Sequence, residues 1–179
     1  LVVIDEAYID FSDEPSFSLE LNHYPNMLVM QTLSKAWGLA ALRLGMAYAS
    51  KEIIGILNKI KPPYNISGLT QETVLNALSN TKLLEDMVKE ILVQKEKLIL
   101  ALEEIPEVEK VYPSAANFLL AKVPHASQVY QKLIEEKIIV RDRSKGQRCE
   151  DCLRITVGNE EENKQFIQAL KEVLQVHTK

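Results

Sequence analysis

This 179-residue sequence has few cysteines and tryptophans, two and one respectively, and no excess of positive charge, since its formal net charge is −4. Two cysteines cannot build a disulfide framework, so a reducing, cytoplasmic setting is expected. The slightly acidic balance gives no reason to expect nucleic acid or an acidic membrane as a partner. No apolar run approaches the roughly 18 residues that a membrane-spanning helix needs, so no membrane partner is expected either.

The chain also lacks an initial methionine and opens directly in the apolar run LVVI, residues 1–4. Such a run is typical of a buried central strand. A start in the middle of a strand indicates a fragment of a longer protein.

The remaining pattern alternates strands with helices, which predicts an α/β architecture. Proline at 62 and 63 should end the helix over 51–60, and Ser67 is placed to cap the helix that runs to residue 80. We expect a first domain over residues 1–100 and a small α+β domain over 101–179. The predicted strands lie at 1–4, 27–32, 44–50, 107–114, 116–123, 138–142 and 152–158, and the helices at 51–60, 67–80, 83–105, 125–137 and 161–175.

Polar side chains follow the first two strands in a pattern that suits one cofactor. Asp5 follows the first strand, where open α/β sheets bind ligands, although aspartate is also common in turns. Lys35 follows the second strand and is either a surface lysine or a desolvated amine suited to a Schiff base. With Tyr8, Ser34 and Arg43 they match the needs of pyridoxal phosphate: a carboxylate, a lysine and phosphate donors.

Two ungapped motifs, IDEAYIDF (residues 4–11) and TLSKAWGLAALRLG (residues 32–45), closely resemble the fold-type I aminotransferases, and among them the histidinol-phosphate aminotransferase family. PPYNIS at 62–67 and LRITVG at 153–158 extend the resemblance over nearly the whole chain. It implies the C-terminal portion of a two-domain, homodimeric enzyme: part of a mainly parallel sheet with helices, then a small α+β domain. It also implies that the full-length protein exchanges an amino group between small molecules in histidine biosynthesis.

The resemblance also implies a role for each matching residue toward pyridoxal phosphate. Asp5 would pair with the ring nitrogen and Tyr8 with the phenolic oxygen. Lys35 would be the catalytic Schiff-base lysine, and Ser34 and Arg43 would bind the phosphate, with Thr32 nearby.

On the substrate side, the resemblance implies that Arg154 binds the anionic group of each substrate. Arg141 would be a second contact to the substrate phosphate, and Asn117 would lie near the substrate. From the residues alone, both arginines could instead form surface ion pairs with Asp142 and Asp151.

The motifs leave several alternative functions open. Another fold-type I enzyme, such as an aromatic-amino-acid aminotransferase or a threonine-phosphate decarboxylase, uses similar motifs, and a non-catalytic module could reuse the fold. A single CxxC pair (Cys149, Cys152) and the scattered His23, His125 and His177 do not predict a metal site. The missing N-terminal half should leave the sheet partly uncovered and this piece inactive by itself.

Overall fold

The structure, a computed structural model, describes residues 1–175 and divides the chain into two compact units. The first runs from Leu1 to Val88 and the second begins at Lys89. The prediction put the boundary near residue 100, in the same long helix. That helix changes unit earlier because Leu98 and Leu102 already belong to the core of the second unit. The assignment of the units to a cofactor-binding and a small domain stays a prediction.

The first unit is built on a three-stranded sheet in the order β1-β2-β3. Strand β1 (Val2–Asp5) pairs in parallel with β2 (Met27–Thr32), and β2 pairs antiparallel with β3 (Gly45–Ala49). A mainly parallel sheet was expected, but only one of these two pairings is parallel. The segment 33–44 between β2 and β3 contains a short 3-10 turn and no crossover helix, and the Leu33 amide donates to the Leu44 carbonyl. A loop closed in this way returns the chain beside the strand it left, so the pair must be antiparallel.

Strand β1 was expected to be a buried central strand, and that expectation is wrong for this chain. Val2 and Val3 are each 51% exposed, and β1 is an edge strand of the described sheet, with β2 as its neighbour. In β2, Met27, Leu28 and Val29 are buried as predicted. The exposed apolar residues of β1 confirm the expectation that the sheet is partly uncovered.

Local sequence determines the ends of the two short helices in the first unit. In α1 (Lys51–Ile60) the Ser50 hydroxyl accepts a hydrogen bond from the Ile53 amide. In α2 (Gly68–Leu78) the Ser67 hydroxyl accepts from the Thr70 amide, so the predicted cap is confirmed. Each bond satisfies a donor that the first helical turn would leave without a partner. Helix α1 ends at Ile60, and the next residue, Lys61, is extended (φ −66°, ψ 142°), the conformation favoured before a proline.

The second unit contains the strands β4 (Lys110–Tyr112), β5 (Phe118–Lys122), β6 (Arg141–Asp142) and β7 (Cys152–Thr156). They form an antiparallel sheet in the order β4-β5-β7-β6, with helices packed against it. The strand predicted over 138–142 pairs with its neighbour only at its last two residues. No helix within residues 1–175 is long and apolar enough to cross a membrane. The helices are α3 (Thr81–Glu103), which begins in the first unit, α4 (Ala126–Glu135) and α5 (Glu160–Gln175).

Alternation along β5 and β7 separates the two faces of this sheet. Leu119 and Ala121 of β5, with Leu153 and Ile155 of β7, turn to the core and are almost fully buried. Side chains of α3, α4 and α5 cover that face, including the buried Leu170. Because side chains alternate across a strand, Phe118, Leu120 and Arg154 lie on the opposite face.

Candidate active site

The loop after β2 holds Lys35 at the protein surface between two buried anchors. Leu33 and Ala36 are buried, whereas Lys35 is exposed. The Leu39 amide donates to the Leu33 carbonyl at 3.0 Å, which closes the loop around the lysine. Its ammonium therefore projects from a backbone that packing and hydrogen bonds hold in place.

The Thr32 side chain holds the two ends of this loop together through hydrogen bonds. Its hydroxyl donates to the Leu44 carbonyl at 3.3 Å and accepts from the Ser34 amide at 3.1 Å. These bonds give Thr32 a backbone-holding role. Ser34 is thereby placed directly beside Lys35, with a half-buried side chain.

The structure brings Lys35 and Tyr8 together. The Lys35 Nζ atom lies 5.1 Å from the centroid of the Tyr8 ring, within the range of a cation–π contact. Asp5 ends β1 and Tyr8 follows it, while Lys35 follows β2, so all three lie at the carboxyl edge of one parallel strand pair. The Asp5 carboxylate accepts from the Ala7 amide at 3.0 Å, a local bond typical of aspartate in turns, and its side chain is exposed.

A buried carboxylate, Glu6, supports this edge and was not identified from the sequence. Its side chain accepts from the Ser16 hydroxyl (2.6 Å), the Phe17 amide (2.7 Å) and the Gln31 amide group (2.9 Å). Burial alone would raise the pKa of Glu6, but the three donors outweigh it and lower the pKa. Glu6 thus ties the segment that follows Tyr8 to strand β2. Its place inside DEAY was the available signal, but the donors come from distant positions.

Arg43 sits at the end of the same loop in a left-handed conformation, with φ 54°. This conformation is unfavourable for a residue with a Cβ atom, by roughly 1–2 kcal/mol. The guanidinium is exposed, and its Nη1 atom donates to the Ala40 carbonyl at 2.9 Å. Lys35 and Arg43 are therefore both on the surface, and neither is buried among the apolar residues around them.

In the second unit, the sheet places two arginines directly opposite each other. Arg141 of β6 pairs with Arg154 of β7 in the antiparallel register, so both side chains leave the same face. Like charges in this relation are destabilising. The Arg154 guanidinium lies 4.9 Å from the Phe118 ring, and its Nε atom is buried with no hydrogen-bond partner in the part of the chain described.

The alternative of surface ion pairs does not hold for these arginines. Among the described residues, neither Arg141 nor Arg154 has a carboxylate oxygen within 4 Å. Asp142 instead accepts from the Ser127 hydroxyl at 2.6 Å, and Asp151 accepts from a backbone amide at 3.3 Å. Two adjacent cations without acidic partners form a surface that suits an anion.

Asn117 precedes β5 and is half-buried. Its carbonyl accepts from the Val157 amide at 3.0 Å, which continues the pairing of β5 with β7. This contact shows what its backbone does, and the role of its side chain stays a prediction.

Cysteine and histidine form no metal centre in residues 1–175, where no three potential ligands converge. Cys149 and Cys152 are free thiols. His177 lies outside the described residues.

Comparison with known proteins gives the same family from sequence and from structure. The family model "Aminotransferase class I and II" matches residues 1–170. A histidinol-phosphate aminotransferase of Cytophaga hutchinsonii is 54% identical over 171 residues, which are 96% of this chain and 49% of that protein. The chain therefore spans about half the length of the curated relatives it matches.

Two solved structures illustrate the fold. The histidinol-phosphate aminotransferase of Clostridium acetobutylicum superposes with a TM-score of 0.89 at 26% identity, covering 97% of this chain and 54% of that one. A decarboxylase of Sulfurospirillum multivorans superposes with a TM-score of 0.85 at 32% identity, covering 96% and 52%. The fold is thus shared with enzymes of two reaction types.

Proposed function

Because this chain belongs to the aminotransferase class I and II family, we propose that it is part of a pyridoxal-phosphate-dependent aminotransferase acting in histidine biosynthesis. The exchange would run between histidinol phosphate and 2-oxoglutarate, giving imidazole-acetol phosphate and glutamate. The observation that carries the proposal is the position of Lys35 Nζ, 5.1 Å from the Tyr8 ring at the carboxyl edge of β1 and β2. The identity of 54% to a histidinol-phosphate aminotransferase supports the choice of substrate.

The donor set in the first unit fits pyridoxal phosphate. An exposed carboxylate, a phenol, a lysine and an arginine are presented on one loop and the adjoining strand end. Asp5 would bind the ring nitrogen, Tyr8 the phenolic oxygen, and Ser34 with Arg43 the phosphate. When bound, the cofactor supplies an electron sink that stabilises negative charge on the substrate's α carbon.

Lys35 would have two tasks. Its Nζ atom would hold the cofactor covalently, and it would then move a proton at the substrate's α carbon. Proton transfer needs an amine at a reproducible distance from that carbon. The buried anchors Leu33 and Ala36 on either side support this, since they restrict the backbone from which the amine projects.

Arg141 and Arg154 would bind the substrate anion. Both half-reactions present an anion away from the amine, a carboxylate in glutamate and a phosphate in histidinol phosphate. A guanidinium fork can accept either group through two parallel hydrogen bonds. The opposed register of the two arginines, without acidic partners, supports this role because a bound anion would relieve their repulsion.

For the full-length protein we propose a homodimer in the cytoplasm. The resemblance of the motifs to the family supports the dimer. The free thiols of Cys149 and Cys152 agree with a reducing compartment.

Reduction with borohydride in the presence of pyridoxal phosphate, followed by peptide mass mapping, tests the cofactor assignment. In the full-length protein we expect the pyridoxyl label on Lys35. Lys35→Ala should abolish this label, whereas Lys51→Ala, a change of an exposed lysine in α1, should leave it. A label that persists in Lys35→Ala, or that spreads evenly over surface lysines, would contradict the assignment. This piece by itself should show no steady transamination.

A decarboxylase is the second candidate, favoured by the 32% identity to the Sulfurospirillum multivorans structure. The two reactions differ in product. An aminotransferase needs 2-oxoglutarate and forms glutamate, whereas a decarboxylase releases carbon dioxide and needs no keto acid. Arg141→Ala distinguishes an aromatic-amino-acid aminotransferase from the proposed enzyme. The change should lower activity only toward a phosphate-bearing substrate, and a silent change would contradict the proposed substrate.

A further inference from the structure

A buried lysine, Lys95, lies inside the second unit without an acidic partner. It is 8% exposed, on helix α3. Within residues 1–175 no carboxylate oxygen lies within 4 Å of its Nζ atom. Burial of an ammonium group is unfavourable by several kcal/mol unless hydrogen bonds compensate for the lost hydration. An aliphatic residue would fill the position without that loss.

The partners of Lys95 are two carbonyls of one loop. Its Nζ atom donates to the Ser114 carbonyl at 3.1 Å and to the Ala116 carbonyl at 3.4 Å. We define the hairpin loop as residues 113–117, which connect β4 to β5. Because the Ser114 and Ala116 carbonyls must both point at the Lys95 Nζ atom, these two hydrogen bonds restrict the backbone of the hairpin loop.

The hairpin loop is also bonded to the strand that follows it. The Ser114 hydroxyl donates to the Phe118 carbonyl at 2.6 Å and accepts from the Ala116 amide at 3.1 Å. The position of Phe118 at the start of β5 therefore depends on the shape of the loop. The Phe118 ring in turn lies 4.9 Å from the Arg154 guanidinium.

We propose that Lys95 is a positioning residue, whose ammonium holds the hairpin loop so that Phe118 is correctly placed against Arg154. This inference rests on the proposed function of Arg154 as the anion-binding residue. Lys95 does not touch the substrate in this proposal. It acts through the two carbonyls of the hairpin loop, and the position of Phe118 against Arg154 depends on that loop.

The test uses the full-length protein labelled with ¹⁵N, with the resonance of the Arg154 Nε–H group as the readout and inorganic phosphate as the probe. Lys95→Met keeps the apolar stem and removes the donors. Lys95→Arg keeps a cation that can still donate to two carbonyls. Lys97→Met removes an exposed lysine from the same helix and controls for the change in net charge.

In the unmodified chain we expect phosphate to shift the Arg154 Nε–H resonance in a saturable manner. Lys95→Met should move the resonances of residues 113–118 and of Arg154 before phosphate is added, and should weaken phosphate binding about three- to tenfold, equivalent to about 0.7–1.4 kcal/mol. Lys95→Arg should restore most of the affinity, and Lys97→Met should change neither readout.

The two proposals can fail separately. If phosphate never perturbs Arg154 in the unmodified chain, the anion-binding role fails, while the phosphate-free resonances still report on Lys95. If Lys95→Met folds and leaves residues 113–118 and Arg154 unmoved, the positioning role is wrong. If Lys95→Met does not fold, Ser114→Ala tests the second step of the proposal, because it removes the hydroxyl that bonds Phe118 and keeps both carbonyls that Lys95 contacts. An unmoved Arg154 resonance in that variant overturns the proposal.

Discussion

Replacing Glu6 by glutamine should destabilise the first unit although the two side chains have nearly the same size. The Glu6 carboxylate accepts three hydrogen bonds, two of them on one oxygen, from Ser16 and Gln31. In glutamine one of the two acceptor oxygens becomes an NH₂ group, which cannot accept the bonds made there. The Ser16 hydroxyl can rotate to accept, but the Gln31 amide group then faces another donor.

A hydrogen bond to a charged group contributes about 1.5–3 kcal/mol, and part of that gain offsets the burial of the charge. We therefore expect Glu6→Gln to lower the free energy of unfolding by about 2 kcal/mol at pH 7. Urea denaturation followed by the fluorescence of Trp37 measures it, since this single tryptophan lies in the first unit. Glu14→Gln, an exposed change, is the control and should leave the midpoint where it was.

The pH dependence gives a second check on Glu6. Its pKa is lowered in the folded state, because the hydrogen bonds outweigh burial. The stabilisation is therefore fully present above the ordinary glutamate pKa of about 4.3 and is lost as the pH falls through the folded value. The difference between the original chain and Glu6→Gln should shrink below about pH 4. A difference that is absent at pH 7, or that stays constant down to pH 3, would refute the reasoning.

Three further predictions concern packing and caps. Gly158→Ala should destabilise the second unit by about 1–3 kcal/mol, because the added Cβ would meet the Glu162 Cβ atom at 2.9 Å. Gly55→Ala, in helix α1 with open space around it, should instead stabilise the first unit by about 0.5–1 kcal/mol. Equal effects of the two changes on the thermal midpoint would contradict this contrast. Leu119→Ala removes a fully buried side chain and should lower the free energy of unfolding by about 2–5 kcal/mol, so a loss under 1 kcal/mol in urea would show a looser core. Ser67→Ala should reduce the stability of the first unit by about 1 kcal/mol, because the Thr70 amide loses its acceptor, and an unchanged urea midpoint would contradict this.

The positions of the helices were predictable because their signals are local. Ser67, the Pro62-Pro63 pair and the apolar spacing of residues 51–60 each act within a few residues of the element they limit. Lys35 was likewise placed after β2 by the motif alone. These features need no knowledge of distant parts of the chain.

Other parts of the candidate site depend on which strands and loops become neighbours. The sequence alone left ion pairs with Asp142 and Asp151 open as an alternative for Arg141, whereas the register of β6 with β7 sets it opposite Arg154. Glu6 had no visible role until residues 16, 17 and 31 met it, and Lys95 had none until the hairpin loop folded over α3.

The sequence by itself identified the family, the end of helix α1 before Pro62 and the Ser67 cap of α2, because motifs and caps are set by neighbouring residues. The residues that would hold a cofactor stay a prediction. Only the tertiary structure decided that β3 runs antiparallel to β2 and that the Glu6 and Lys95 side chains are buried with neutral hydrogen-bond partners. The physical reason is that strand register and burial are set by contacts between residues far apart in the chain, whose free energies no local pattern records.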